Sequence, residues 1–384
     1  MGACPHAPQC VPCPFRGLAY RAQLARKKQR VIEAVAPYSS LAPVEVEDVV
    51  GSRDLFGYRN VAKLVVRADS GGRLRAGVYA PGSHRLVDAD GCEVQHPAIN
   101  EVVSAALEES ARLGISAYDE TAREGDLRYL VARYSAWQKR VLLVVVTRAR
   151  RLPALAALAK AISRRSRWLG GVVQNVNADP GNVILGREWA TIRPPAEIVE
   201  RIGFLKLQSA PGSFLQANVW TARRIYETVL AWSALTNDER ALDLYTGVGA
   251  LALHLATAAE RVVGVEDAPQ AARDARANAR RNGFHNARFL DGESHRRAAE
   301  LADAGERFAV VTVNPPRKGL DPAVVETLPH LAPRRILYVS CQPESLARDL
   351  ERLATVGYTT IRVQPFDMLP QTDHVEVLAQ LDRA

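Results

Sequence analysis

The chain has 384 residues, which is long enough for two or three domains with proper hydrophobic cores. Apolar residues make up 47% and charged residues 24% of it, as in an ordinary globular protein. No apolar run reaches the roughly 18 residues of a membrane span, and the Cys- and Pro-rich start lacks the apolar segment of a signal peptide. We therefore expect a monomeric, cytoplasmic protein with no membrane partner.

The positive charge is unevenly distributed. The net charge is +8, but residues 1–210 hold 30 Lys and Arg against 20 Asp and Glu, whereas residues 211–384 hold 20 against 22. A basic half beside a nearly neutral half indicates a polyanion-binding module joined to a catalytic module. The alternative is an ordinary solvated basic surface.

The first half predicts a strand-rich α+β module. Short β-branched runs are separated by Gly and Pro, and three longer stretches have helical spacing. Helices are expected at 18–36, 98–113 and 154–165, and strands at 44–50, 58–68, 75–80, 127–135, 140–148, 171–176 and 182–186.

After about residue 211, short apolar strands alternate with helical stretches. This alternation predicts an α/β domain with a mainly parallel, doubly wound, Rossmann-like sheet. The last two strands, 358–366 and 375–381, have no helix between them and should pair as an antiparallel hairpin at one edge. We expect three regions: 1–35 with an N-terminal cysteine segment and a basic helix, 36–210 as the strand-rich module, and 211–384 as the catalytic domain.

A glycine loop and an acidic residue predict a nucleoside site in the catalytic domain. The sequence DLYTGVG at 243–249 ends one strand and opens a helix, and Glu266 ends the next strand, about twenty residues later. Glycines allow a ligand close to the backbone, and the acid can accept hydrogen bonds from ribose hydroxyls. The loop lacks the third glycine of the dinucleotide fingerprint, which favours S-adenosylmethionine. A nicotinamide cofactor and a purely structural loop are the alternatives.

Asn314 follows the fourth predicted strand of this domain and precedes Pro315-Pro316. A polar side chain followed by two prolines forms a rigid rim that positions one amide at the reactive end of the cofactor. The alternative is a plain strand-to-loop turn.

Cys341 and Glu376 are the candidates for covalent chemistry. Cys341 follows an apolar strand and precedes a helix that begins with Pro, and a helix N-terminus stabilises a thiolate. Glu376 opens the last strand, where alternation can direct it to the same edge of the sheet. Such a pair suits covalent catalysis, in which a thiolate adds to the substrate and a base then removes a proton so that the thiolate can leave. A buried core cysteine and a solvated glutamate are the alternatives.

The other cysteines form an N-terminal group. Cys4, Cys10 and Cys13 lie close together in the sequence, and Cys92 follows about eighty residues later. Four thiolates suit tetrahedral zinc or a [4Fe–4S] cluster, and the spacing does not separate the two.

Several motifs in residues 213–384 resemble the RNA (uracil-5-)-methyltransferases. They are SFLQAN at 213–218, DLYTGVG at 243–249, NPPRKG at 314–319, SCQPESLARDL at 340–350 and DMLPQTDHVE at 367–376. The resemblance implies a class I methyltransferase fold with S-adenosylmethionine as cofactor and RNA as substrate. It also implies a cofactor site made by Gln216, Tyr245, Glu266 and Asn314, with Cys341 as nucleophile and Glu376 as base.

The same resemblance favours a [4Fe–4S] cluster over zinc at Cys4, Cys10, Cys13 and Cys92. Many family members have Asp where this chain has Asn314. The branch that modifies the uracil-747 site of 23S ribosomal RNA is similar to this chain in its Asn-Pro-Pro-Arg motif. It also begins directly with its cysteines, without an N-terminal oligonucleotide-binding barrel.

Two alternatives remain open: methylation of transfer RNA, and a non-catalytic, RNA-binding iron–sulfur protein. In each case we expect phosphate contacts from basic residues of the 18–36 helix, including Lys27 and Lys28, and from the arginines near 150 and 165. Tyr129, Tyr134, Trp137 and Trp168 are candidates for base stacking.

Overall fold

The computed structural model describes residues 4, 6, 10, 12–80, 82–181 and 183–384. The chain forms two compact units and passes between them more than once. The first unit contains Met1–Gly17, Asp54–Glu200 and Ser209–Gly212, and the second contains Leu18–Arg53, Arg201–Gln208 and Ser213–Ala384. This division differs from the expected linear boundaries because residues 18–53 pack with the C-terminal part. Among the helices formed by the described residues, none is long and apolar enough to cross a bilayer.

The first unit is built on a sheet with two helices. Its strands are β1 (Val61–Ala68), β2 (Leu74–Tyr79), β3 (Leu86–Asp88), β4 (Leu127–Ser135), β5 (Arg140–Thr147), β6 (Leu169–Val176) and β7 (Glu188–Arg193). The helices are α2 (Pro97–Arg112) and α3 (Ala154–Arg165). The strand order is β3-β2-β1-β4-β5-β6-β7. Neighbouring strands run antiparallel except β5 and β6, which are parallel because α3 makes the crossover between them.

The strand-rich α+β character predicted for this part of the chain is confirmed, and the β4–β5 hairpin lies where the sequence placed it. The strand expected at 182–186 is wrong in position: β7 begins at Glu188. Residue 182 itself lies outside the described residues. Of the aromatic residues considered for base stacking, Tyr129 is buried in the core and Tyr134 stacks on His96, whereas Trp137 is 46% exposed.

The second unit contains the predicted parallel sheet. Its strands are β10 (Arg240–Leu244), β11 (Arg261–Glu266), β12 (Ala287–Asp291), β13 (Val310–Val313), β14 (Arg335–Ser340), β15 (Tyr358–Phe366) and β16 (Glu376–Arg383). A short ribbon of β8 (Ile198–Ile202) and β9 (Leu205–Ser209) precedes them. The strand order is β12-β11-β10-β13-β14-β16-β15. β10 to β14 are parallel, whereas β16 is antiparallel to both β14 and β15.

Helices cover both faces of this sheet. They are α1 (Tyr20–Val35), α4 (Val219–Ser233), α5 (Ala250–Leu255), α6 (Pro269–Arg281), α7 (Ser294–Asp303), α8 (Pro322–Leu331) and α9 (Pro343–Thr355). One apolar core joins α1, α7, α8 and α9 to the strands, and the other joins α4, α5 and α6. The predominantly apolar strands of the sequence, such as Val310–Val313, are explained by this burial on two faces.

Residues 44–50 do not form the expected strand. They make two isolated bridges with β15, in which the amides of Glu47 and Val50 donate to the carbonyls of Val363 and Pro365. A continuous ladder cannot form on this edge because Pro365 has no N–H to donate.

Helix α1 was expected to present its basic residues to RNA, and for Lys27 this expectation is wrong. The buried residues of α1 are Gln23, Lys27, Val31 and Val35, spaced four apart on one face of the helix. The Lys27 side chain is fully buried and paired with Asp367. Lys28, the next residue, lies at the surface and pairs with the exposed Asp48.

Candidate active site

One edge of the second unit's sheet gathers most of the predicted site residues. β10, β11, β13 and β14 are parallel, so their carboxyl ends meet at the same edge, and antiparallel β16 begins there. We call this the carboxyl edge. Ligands bind at such edges in open α/β sheets, since the loops there diverge and leave a crevice.

The glycine loop at the end of β10 has an unusual backbone. Tyr245 has φ 63° and Gly249 has φ 84°, both in the left-handed region. A side chain at Gly249 would be strained, and a Cβ there would lie 3.0 Å from Ala275 Cβ and from Phe289 Cζ. Tyr245 adopts this conformation without being glycine, which is a feature of functional sites held by their surroundings.

A buried carboxylate holds the loop in place. Asp243 is 1% exposed, and it accepts hydrogen bonds from Thr246 Oγ1 at 2.5 Å and Thr312 Oγ1 at 2.6 Å. Burial raises the pKa of Asp243 to about 6, and the two hydroxyls oppose this rise. Asp243 thereby ties the loop to β13, the strand that carries Asn314.

Glu266 turns back toward the glycine loop from the end of β11. Its carboxylate accepts hydrogen bonds from the amide of Gly247 at 2.8 Å and from that of Ala268 at 3.0 Å. Each oxygen therefore accepts one backbone hydrogen bond and keeps acceptor capacity for a ligand hydroxyl. Burial raises the pKa of Glu266 to about 6, so it carries a negative charge at neutral pH.

The other predicted cofactor residues differ in their surroundings. Asn314 directly follows β13, and its backbone N–H donates to Leu244 O at 3.4 Å. Tyr245 is partly buried, and burial raises its pKa to about 12, with the Asp321 backbone and Ser294 hydrogen-bonded to its hydroxyl. Gln216 is 7% exposed in the segment before α4, away from any strand end. Tyr245, Glu266 and Asn314 thus share the carboxyl edge.

Strand register brings Cys341 and Glu376 together. β14 and β16 are antiparallel, with Ser340 opposite Val377 at the end of the ladder. The same register extended by one residue places Cys341 opposite Glu376, and opposed Cα atoms in antiparallel pairs are about 4.5–5.5 Å apart. Cys341 also precedes α9 directly, and Ser340 Oγ accepts a hydrogen bond from the Gln342 amide at 3.1 Å in the turn between them.

The electrostatics of this pair suit proton transfer. Glu376 is only partly exposed, and burial raises its pKa to about 7, with the Arg317 charge opposing the rise. Burial also raises the pKa of the Cys341 thiol, and the Glu376 carboxylate adds to the effect. Arg317 opposes both shifts because it is hydrogen-bonded to the thiol and close to the carboxylate. A carboxyl group with a pKa near neutrality is well matched to general base catalysis.

Asp243 and Arg317 are site residues that the sequence reasoning did not select. Both lie inside motifs that it quoted, DLYTGVG and NPPRKG. The available signal for Arg317 was a cation in a proline-rich turn at a strand end, and for Asp243 it was an acid within an otherwise apolar strand.

The N-terminal cysteines are neighbours in the first unit. Burial raises the pKa of Cys13 to about 12, with further contributions from Cys92, Cys10 and Cys4, and the pKa of Cys10 is raised by burial, Cys92 and Cys4. All four are free thiols and partly buried. In the part of the chain that the structure describes, no three His, Cys, Asp or Glu side chains are arranged to hold a metal ion.

Comparison with known proteins is consistent with this site. Residues 197–384 match the family model described as tRNA (uracil-5-)-methyltransferase. An uncharacterized RNA methyltransferase of Geobacter sulfurreducens is 41% identical over 99% of this chain and 76% of its own length. One of Halalkalibacterium halodurans is 37% identical over 99% and 82%.

A solved structure is similar over both units. It is the tRNA (uracil-54, C5)-methyltransferase of Pyrococcus abyssi in complex with S-adenosyl-L-homocysteine, with a TM-score of 0.79 and 29% identity. The match covers 97% of this chain and 86% of that one.

The raised pKa of Glu376 predicts a pH-dependent cost to stability. The folded pKa of about 7 exceeds the ordinary value of 4.5, so between these values the folded protein holds a proton that the unfolded chain has released. Stability therefore falls as pH rises through this window. We expect Glu376→Gln to raise the free energy of unfolding by about 1–3 kcal/mol near pH 8, and not near pH 4. The expected gain is smaller than for a fully buried carboxylate because water reaches part of the Glu376 side chain.

Urea denaturation at both pH values measures this difference. The control is Glu326→Gln, which removes an exposed carboxylate from α8 and should leave stability within about 0.5 kcal/mol. An equal gain at both pH values would contradict the assigned cause.

Proposed function

Because the chain belongs to the RNA (uracil-5-)-methyltransferase family, we propose that it transfers a methyl group from S-adenosylmethionine to C5 of a specific uridine in RNA. The observation that carries the proposal is the register that puts Cys341 opposite Glu376 at the carboxyl edge. A nucleophile and a base side by side are what this reaction needs, and a non-catalytic RNA-binding protein needs neither.

The carboxyl edge fits S-adenosylmethionine. The backbone of the glycine loop leaves room beside Gly247, and Glu266 retains acceptor capacity for ribose hydroxyls. We assign Gln216, Tyr245, Glu266 and Asn314 to cofactor binding. The cofactor supplies the methyl group when it is bound.

Cys341 starts the chemistry on the uracil ring. The thiolate adds to C6, a sulfur–carbon bond forms, and the electron pair of the C5=C6 double bond moves toward C5. C5 then becomes nucleophilic enough to take the methyl group. Arg317 assists because its positive charge favours the thiolate over the thiol.

Glu376 completes the reaction. Its carboxylate accepts the proton from C5, the C5–H electron pair restores the C5=C6 double bond, and the bond from Cys341 to C6 breaks with its electrons returning to sulfur. A pKa of about 7 keeps a large share of Glu376 deprotonated at neutral pH and makes it a good proton acceptor. Asn314 is an amide and cannot act as a base, so its role is to hydrogen-bond the uracil edge or the cofactor.

The RNA is proposed to be 23S ribosomal RNA at a uracil-747 type site, on the resemblance of the NPPR motif at 314–317 to that branch. Transfer RNA is the alternative, since the similar Pyrococcus abyssi enzyme is a tRNA methyltransferase. In either RNA the target must be flipped or single-stranded, because C5 and C6 are otherwise stacked.

The first unit is proposed to bind the RNA backbone. Arg148, Arg150, Arg151, Arg164 and Arg167 are exposed there. Trp137 is the most exposed of the aromatic residues considered for stacking. Phosphate contacts of this kind weaken as salt increases.

We also propose a [4Fe–4S] cluster on Cys4, Cys10, Cys13 and Cys92. The raised pKa values of Cys10 and Cys13 support it, because burial and the neighbouring cysteines disfavour their thiolates until a metal neutralises the charge. The cluster would join the N-terminal segment to the loop after β3, a structural role. Zinc is the alternative ligand for the same donors.

Methyl transfer from labelled S-adenosylmethionine to purified ribosomal and transfer RNA tests the proposed reaction. We expect label in 5-methyluridine from 23S RNA only. Label in transfer RNA alone would show that transfer RNA is the substrate, with the same mechanism. No label in either RNA would contradict the proposed function.

Variants of the two proposed catalytic residues should block different steps, which are thiolate addition for Cys341 and proton removal for Glu376. RNA that contains 5-fluorouracil should trap the adduct with the unmodified protein, because fluorine cannot leave C5 as a proton. Cys341→Ala should abolish both methylation and this adduct, because no thiolate remains to add to C6. Glu376→Gln should still form the adduct with ordinary RNA but should accumulate it, with kcat lower by about 10²–10⁴-fold. Glu326→Gln is the matched carboxylate control. Normal product release by Glu376→Gln would exclude Glu376 as the base.

Iron analysis tests the cluster. Protein purified without oxygen should contain iron and sulfide and absorb visible light, and Cys92→Ser should lose all three signals. Cys341→Ser is the control and should retain them, since Cys341 lies in the other unit. Zinc in place of iron in the purified protein would overturn the iron–sulfur assignment.

A further inference from the structure

A buried ion pair connects α1 to the segment before the proposed base. Lys27 Nζ lies 2.5 Å from Asp367 Oδ1, and both side chains are fully buried. Lys27 also donates to Leu369 O at 3.0 Å. Asp367 is the first residue after β15, and Glu376 is the first residue of β16. The pair therefore lies at the start of the loop that delivers Glu376 to the carboxyl edge.

The second carboxylate oxygen of Asp367 is also bound. Tyr20 Oη donates to Asp367 Oδ2 at 2.9 Å and accepts a hydrogen bond from the Ser52 amide at 2.6 Å. The Asp367 amide donates to Val50 O at 2.9 Å. The position of Asp367 is thus fixed through its side chain by α1 and through its backbone by the segment that follows α1.

The rest of the loop is held in the same way. Gln23 on α1 and Gln371 exchange two hydrogen bonds, from the Gln371 amide to Gln23 Oε1 at 3.0 Å and from Gln23 Nε2 to Gln371 Oε1 at 3.1 Å. Gln371 has φ 72°, a left-handed conformation that costs a non-glycine residue free energy. Asn218, at the start of α4, donates to Met368 O at 3.2 Å.

These hydrogen bonds and the ion pair constrain the position of Glu376 more than that of Cys341. Glu376 follows Gln371 by five residues, and its carboxylate must reach C5 of the uracil within hydrogen-bonding distance. Cys341 lies between β14 and α9, and none of these hydrogen bonds to the loop before β16 involves either element. α1 contacts α9 separately, through the ion pair of Arg30 with Glu344, which the loss of Lys27 and Asp367 does not remove. A loosened loop would therefore misplace the base and leave the nucleophile in position.

We propose that Lys27 and Asp367 are positioning residues for Glu376, so that the buried pair fixes the geometry of proton removal from C5. The inference rests on the proposed function. A buried, hydrogen-bonded ion pair suits this role because its hydrogen bonds are directional and permit few arrangements. A purely structural pair would affect thiolate addition and proton removal alike.

The test removes both charges together, so that neither is left buried without its partner. The double variant Lys27→Met/Asp367→Asn should form the adduct with RNA containing 5-fluorouracil at the rate of the unmodified protein. On ordinary RNA it should accumulate the adduct, with kcat lower by about 10–100-fold and KM for RNA little changed. Arg223→Met/Glu227→Gln, which removes an exposed ion pair from α4 of the same unit, is the matched control and should behave as the unmodified protein.

Equal kcat in the two double variants, or an equal slowing of adduct formation and product release, would overturn the proposal. If the buried-pair variant does not fold, Tyr20→Phe serves in its place. It removes one hydrogen bond to Asp367 and should give the same pattern with a smaller loss of kcat; unchanged kcat would then overturn the proposal. Failure of the unmodified protein to form the adduct would refute the proposed function instead, so the two failures are distinguishable.

Discussion

The pairing of β16 between β14 and β15 is the constraint on which the site depends. β16 runs against its neighbours, so its first residue, and not its last, lies at the carboxyl edge where the parallel strands end. The side-chain period of a strand is two, and a slip of one residue would send Glu376 to the opposite face of the sheet. Burial on both faces of β16 makes such a slip costly, because Val377, Leu378, Ala379 and Leu381 are all buried.

The same arrangement concentrates negative charge. A thiolate at Cys341 and a carboxylate at Glu376 disfavour each other, and partial burial disfavours both, which raises their pKa values. Arg317 offsets part of this cost from the NPPR turn after β13. Burial of these groups thus destabilises the folded protein locally, and it also gives Glu376 a pKa near neutrality. Apolar cores on both sides of the sheet supply the stability that permits it.

A second buried electrostatic interaction, the Lys27–Asp367 ion pair, lies at the start of the loop that leads to Glu376. Removing one member of a buried pair such as Lys27–Asp367 costs about 3–5 kcal/mol, because the other charge is left without a partner. The helix that supplies Lys27 precedes the strand-rich unit in the sequence, yet packs with the C-terminal part. Helix spacing alone marked this segment as basic and surface-exposed, and only long-range packing revealed that one of its lysines is internal.

The sequence by itself determined the order and type of the C-terminal elements, because apolar runs of strand length alternate there with helical stretches. It also determined the candidates Glu266, Asn314 and Cys341, since ligands of open α/β sheets bind at the carboxyl ends of the strands. The resemblance to a family added Gln216 and Tyr245. The tertiary structure decided which of these lie together, the role of Arg317, the burial of Lys27 and the pKa of Glu376. These properties depend on register and on contacts between residues tens to hundreds of positions apart, and no local pattern of residues encodes such contacts.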